Sequence, residues 1–252
     1  MANGIDCATP LTLKTARALY AEGYRFACRY LVPPAYAWKR LTLSEAQAIT
    51  EAGLQIVSVF ETAAKRAAGA AEAGRADGAA AYQEALAIGQ PFGTAIYFAV
   101  DYEAGPGDYD RIEAYLRAAG AEIRGYSLGV YGSYAVIEEM AKRGVCRHYW
   151  QTYAWSRGKK SPKINLYQYR NHIQAAGILV DLNESYGNEG WWNTNMTGHI
   201  GGAGSMMSKE DAEKIIRFLQ AAWQIATTKT DKDEFHRLAN EIRKAAGIPV
   251  DD

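Results

Sequence analysis

The sequence predicts an α/β fold, a barrel of eight strands in (β/α)5β3 order, with a small C-terminal helical appendage. Three observations predict it. Short apolar, β-rich runs alternate with helical stretches up to about residue 143, the order that builds a parallel sheet. Three more such runs follow between residues 149 and 181, only about 8 to 12 residues apart, too few for a crossover helix. Acidic residues stand at the ends of several runs, on the rim where the loops of a parallel barrel converge.

Taken in order, strands are expected at Gly4–Cys7, Phe26–Leu31, Gln55–Phe60, Ala95–Val100, Leu128–Tyr131, Tyr149–Tyr153, Ile164–Tyr169 and Ile178–Asp181. Helices are expected at Leu13–Ala21, stopped near Gly23, and from a Ser44 cap to Ala52, stopped by Gly53. An Ala-rich helix should span Ala67–Ile88, weakened by Gly69, Gly74 and Gly78. Two more are expected from Asp108 to Ala119 and over Tyr134–Arg143. The barrel should fill residues 1–195, with a Gly-rich linker over 196–206 and two helices over 207–252. Ser208 with Asp211 resembles a capping box for the first helix, and Ile215, Ile216, Leu219, Ala222, Trp223 and Ala226 form its apolar stripe. Asp231 with Glu234 should open the second, which carries Phe235, Leu238, Ala239 and Ile242 on one side and ends at Gly247 and Pro249. Two helices of this size rarely fold alone, so they are expected to pack on the barrel, form a homo-oligomer or bind something else.

Composition narrows the function. Lys+Arg and Asp+Glu balance at 28 each, which argues against nucleic acid or an anionic membrane as obligate partner. Seventeen Tyr and six Trp offer stacking surface for sugar rings, although cores and rims use them too. Cys7, Cys28 and Cys146 fit neither a disulfide framework nor a zinc pattern, and the four His lack metal-ligand spacing. No cofactor or metal is therefore expected. The first residues carry no signal-like apolar region, and no run is long enough to span a membrane. Synthesis in the cytoplasm is the expectation.

Asp6, Glu61, Asp101, Glu103 and Asp181 bring five carboxylates from four strand ends to one mouth. Their mutual repulsion should raise the pKa of at least one. Glycosidic cleavage needs such a raised acid beside an ionised partner. If the strand continues, residues i and i+2 point Asp101 and Glu103 into one cleft; if the chain leaves the strand after Asp101, they part. Each acid also has a plain structural reading: a cap for Asp6 or Glu61, an Asx turn for Asp181, chance for the D-x-E. Tyr131, Trp150–Gln151 and Tyr167–Gln168–Tyr169 could stack on a sugar and bond its hydroxyls, while Trp191–Trp192 could be a platform or a rim plug.

The ordered motifs GID (4–6), DYE (101–103), GVYGS (129–133), YWQ (149–151), LYQY (166–169) and VDLN (180–183) resemble the barrel of glycoside hydrolase family 25 lysozymes. Those enzymes have a TIM-like (β/α)5β3 barrel. FACRYL (26–31), GLQIVSVFE (53–61) and AIYFAVDYE (95–103) look closer still to the related glycoside-hydrolase-like domain of the Rv2525c type, and the resemblance covers roughly residues 1–195. It implies Glu103 as general acid and Asp101 as the partner that stabilises charge or orients substrate. Asp6 and Asp181 would line the cleft, and Glu61 belongs to an FE motif of the Rv2525c-like group. Tyr131, Gln151 and Gln168 complete the expected substrate-binding set. The expected function is a muramidase-type peptidoglycan hydrolase of phage endolysin type, acting on the wall after release, with the helical tail targeting the wall or forming a homo-oligomer. A silent glycan-binding barrel, or a glycosidase on another polysaccharide, is the alternative.

Overall fold

The computed structural model describes residues 1–196, 209–246 and 248–250. The chain divides into two compact units, 1–202 and 203–252. In the first, eight strands close a barrel in sequence order: β1 (Asn3–Asp6), β2 (Phe26–Tyr30), β3 (Gln55–Phe60), β4 (Ala95–Ala99), β5 (Ser127–Gly132), β6 (His148–Thr152), β7 (Leu166–Ala175) and β8 (Ile178–Ser185). Helices α1 (Leu13–Ala21), α2 (Leu43–Glu51), α3 (Ala70–Ala87), α4 (Tyr109–Glu122) and α5 (Tyr134–Lys142) follow the first five strands. Thr12, Thr42 and Ser133 cap α1, α2 and α5, each accepting a backbone N–H three residues on. Thr42 therefore takes the place expected for Ser44.

Parallel order holds for β1 to β7 and fails at β8, which pairs antiparallel with both β7 and β1. The physical reason is the connection. Only Ala176 and Gly177 separate β7 from β8, both with positive φ (47° and 80°), a two-residue hairpin turn that cannot cross over. Asp181 is thus not at a strand's carboxyl end; it lies inside a descending strand, directly opposite Asp6.

Every second residue points inward. Phe26, Cys28, Val57, Val59, Ala95, Tyr97, Ala99, Trp150 and Leu166 form the inner core, and the larger outer core lies between strands and helices. The segment after β8 closes the end of the barrel where β3 and β4 begin. Trp192 exchanges backbone hydrogen bonds with Ile56, and its Nε1 donates to Ser58 Oγ at 2.9 Å. Gly190 O accepts from Ala95 N. Trp192 is fully buried against the outer face of β3 and Trp191 packs on Phe26 of the inner core, so neither offers a platform at the mouth.

The glycines of α3 serve packing, not weakness. A Cβ on Gly74 would stand 2.1 Å from Tyr115 O, and one on Gly78 2.6 Å from Ala119 O, so both glycines admit the backbone of α4. In an exposed helix Gly→Ala gains about 1 kcal/mol. Here Gly74→Ala should lose about 1–3 kcal/mol through overpacking, read as a lower urea midpoint with unchanged slope.

In the second unit α6 (Lys209–Ile225) and α7 (Lys229–Ala245) form a helical hairpin. Thr228 caps α7 through Oγ1, accepting from Asp231 N at 3.1 Å, so the cap precedes the expected Asp231. Most of the expected 196–206 linker, together with Ser208 and Gly247, lies outside the described residues. Among the described residues no helix is long and apolar enough to cross a membrane.

Candidate active site

Inward parity carries six side chains to the mouth of the barrel. Asp6 ends β1, Tyr30 ends β2, Glu61 follows β3 and Asp101 lies two residues beyond β4, while Tyr131 and Gln168 rise from β5 and β7. With Asp181, Asn171 and Trp150 they line a cleft of about 160 Å³. Four of the five expected carboxylates therefore meet.

Glu103 does not join them. The strand ends at Ala99, the i, i+2 alternation lapses, and Glu103 turns out to solvent with its side chain 60% exposed, 3.4 Å from Arg157 Nη2. Gln151 is absent from the cleft for a parity reason. Trp150 faces inward, so its neighbour must face outward. Gln151 is fully buried outside the barrel wall, its Nε2 donating to Lys159 O and its Oε1 accepting from Ser161 N. It fastens the loop after β6.

The floor of the cleft is one hydrogen-bonded network. Asp6 Oδ2 accepts from Asn183 Nδ2 (2.7 Å) and Gln168 Nε2 (2.9 Å). Asn183 Oδ1 accepts from Trp150 Nε1, and Gln168 Oε1 accepts from both Tyr131 Oη and Thr152 Oγ1. Gln168 also reaches Asp181 Oδ2 at 3.3 Å, and Asp181 Oδ1 accepts from His172 N at 2.8 Å. With both ends of Gln168 spent inside the protein, its role is to hold Asp6, Asp181 and Tyr131 in place.

Burial and crowding perturb these acids. Asp6 is pushed up to about 7, first by burial and then by the charge of Asp181, against the lowering effect of its amide donors. Asp101 is pushed up to about 6 by burial, by the charge of Glu61 and by a hydrogen bond with the Glu61 carboxylate. Burial also raises Asp181, opposed by the His172 N–H. Lys39, which composition and spacing did not single out, enters from the loop after β2. Its Nζ lies 3.3 Å from Glu61 Oε2 and 4.4 Å from the centre of the Tyr30 ring. Behind it, buried Arg29 donates to Lys39 O, to Cys7 O and to Glu45.

These shifts make stability depend on pH. The native state keeps the Asp6 proton up to about 7, whereas the unfolded chain releases it near 3.8. Between those values the native state binds more protons, so stability falls as pH rises from about 4 to about 7, then levels. Asp6→Asn keeps an acceptor for Gln168 or Asn183 and removes the titration. Its melting temperature should vary less than that of wild type across this window, and an unchanged slope would refute the assignment.

Among the described residues no group of three or more His, Cys, Asp or Glu side chains could hold a metal ion. What the geometry offers is proton chemistry and polar recognition.

Known proteins place this barrel. The Tat-secreted protein Rv2525c of Mycobacterium tuberculosis, crystallised with L-tartrate, is 27% identical over 76% of this chain and 98% of that one, with a TM-score of 0.69. FadG of Bacillus subtilis is 29% identical over 153 residues, which are 56% of this chain and 26% of FadG; the match spans about a quarter of that relative. A glycosyl hydrolase 25 of Streptococcus pneumoniae shares the fold at 16% identity and a TM-score of 0.52, over 73% of this chain and 87% of that one. Residues 17–197 match the Rv2525c-like, glycoside hydrolase-like domain, and with the barrel and its acid-lined mouth in place the chain belongs to that family.

Proposed function

We propose that the barrel hydrolyses β-1,4 glycosidic bonds in bacterial cell-wall glycan, as a peptidoglycan hydrolase of muramidase type. The observation that carries this reading is the gathering of Asp6, Glu61, Asp101 and Asp181 in one cleft, where burial and the charge of Glu61 raise Asp101 to about 6. Acids crowded in one cleft oppose each other's ionisation, so one of them keeps its proton. Asp101, raised to about 6, gives that proton to the leaving glycosidic oxygen. The role of Glu61 is to keep the proton on Asp101 by its charge, while the Lys39 ammonium stands 3.3 Å from the Glu61 carboxylate. Asp181, its carboxylate held by His172 N and Gln168, is the negative charge that faces the developing oxocarbenium centre.

A second reading is a barrel that binds wall glycan without cutting it. It is favoured by Glu103, the acid that the resemblance implies as proton donor, which stands outside the cleft. Purified peptidoglycan incubated with wild type, Asp101→Asn and Glu103→Gln separates the two. Hydrolysis through Asp101 gives new reducing ends with wild type and Glu103→Gln and few with Asp101→Asn, and mass spectrometry of the products identifies the bond cut. Saturable binding with no new reducing ends from wild type selects the second reading.

A further inference from the structure

The hairpin of β7 and β8 breaks its own ladder beside the cleft. Register shifts fall between Gln168 and Arg170 and again between Arg170 and Ile173. His172, between them, takes a left-handed backbone (φ 57°), uncommon for a residue with a Cβ. A bulge of this kind re-aims a side chain, and strain kept beside a site points to use. The side chain re-aimed is Asn171, which lines the cleft, and its Oδ1 is buried without a hydrogen-bond partner. The bulge is pinned from below, because the His172 N–H donates to Asp181 Oδ1 at 2.8 Å.

The cleft is rich in acceptors and short of donors. Glu61 and Asp181 accept, and Asp6 and Asp101 do so apart from the proton that each keeps up to about pH 7 and about pH 6. The side-chain donors near them are engaged: Gln168 on Asp6 and Asp181, Tyr131 on Gln168 and Trp150 on Asn183, while Lys39 puts one of its three N–H groups on Glu61. Apart from the carboxyl protons, the Tyr30 hydroxyl and the Asn171 amide remain among the described residues lining the cleft. Of these, only the amide offers a donor and a separate acceptor side by side in one plane, the complement of another amide. Because no hydrogen bond holds either end, the amide can turn about its broad terminal torsion at little cost and meet a ligand.

We propose that Asn171 is a specificity-determining residue, presented by the β7–β8 bulge to hydrogen-bond an amide substituent on the glycan. The inference rests on the glycan reading above and adds the residue that would choose among glycans. Asn171 donates through Nδ2 to the substituent's carbonyl and accepts its N–H at Oδ1, while the acids of the floor serve hydroxyls.

The test is calorimetric titration of the full chain with the tetramer of N-acetylglucosamine and with its fully N-deacetylated counterpart at high ionic strength, which screens the amines. Wild type should bind the acetylated tetramer more tightly. Asn171→Ala should lose that preference, with about a ten-fold drop for the acetylated ligand and little change for the other. Asn171→Asp keeps the acceptor and removes the donor, and should lose the preference as well. The circular dichroism and melting temperature of each variant establish that it is folded. A preference that survives intact in a folded Asn171→Ala overturns the role of Asn171 and leaves the glycan reading standing. Failure of wild type to bind either tetramer overturns the glycan reading, and this inference with it.

Discussion

Replacing Asp101 by Asn should lower glycan cleavage by roughly 10²–10⁴-fold, the range a positioned general acid supplies, while leaving glycan binding close to wild type. The substitution keeps the size and removes the proton. Raised to about 6, Asp101 is protonated below that pH, so the rate carried by it should fall as pH rises through about 6. Neighbours then move that limb in opposite directions. Glu61 raises Asp101 by its charge and its hydrogen bond, so Glu61→Gln should move the limb to lower pH. Lys39 lowers Asp101, so Lys39→Met should move it to higher pH. Rates over pH 4–8 with the three variants check this, and a limb that ignores both neighbours would exclude Asp101 as the donor. Glu103→Gln is the control: a residue paired to Arg157 at the surface should change cleavage only modestly. If it abolishes cleavage instead, Glu103 must swing into the cleft on substrate binding, and the acid is Glu103.

Much of this site is legible in the sequence. The acids at the ends of the first, third and fourth strands follow from runs whose alternation is unbroken, so parity carries Asp6, Glu61 and Asp101 to the same side. Where parity lapsed, so did the reading. Glu103 lies beyond Ala99 in a loop containing Gly105, Pro106 and Gly107, where the i, i+2 rule has no force. Gln151 could have been placed by the same rule, since adjacent Trp150 and Gln151 cannot both face inward. The reversal of β8 was hidden by its turn: Ala176–Gly177 lacks the Asn or Asp that marks such hairpins. Asp181 was nonetheless placed at the mouth, through a strand that reaches it from the opposite direction. Lys39 and Asn171 leave no pattern at all, one lying in a loop and the other on a bulge. Only the folded chain brings them to the acids.

The largest effect on stability should come from a residue that touches no substrate. Arg29 points out of the barrel wall into the layer beneath α1 and α2, fully buried, its Nε 2.7 Å from Glu45 Oε1. Glu45 is itself buried and accepts a second bond from Leu11 N at 2.8 Å. Arg29→Met removes the cation and leaves the buried Glu45 carboxylate without its guanidinium partner. Breaking one side of a buried pair costs about 3–5 kcal/mol, a drop in melting temperature on the order of 10 °C for a unit of this size. The double variant Arg29→Met/Glu45→Leu removes both charges and should recover much of the loss, because replacing a whole buried pair is often neutral. Recovery should stop short of wild type. The carbonyls of Cys7 and Lys39 also take hydrogen bonds from Arg29, and both variants strand them. Those carbonyls belong to the two loops that aim Asp6 and Lys39 into the cleft. The double variant should therefore regain stability and still cleave poorly, whereas recovery of both would mean that Arg29 braces the fold without aiming the site. Urea unfolding and reducing-end assays on the same three proteins separate the two outcomes.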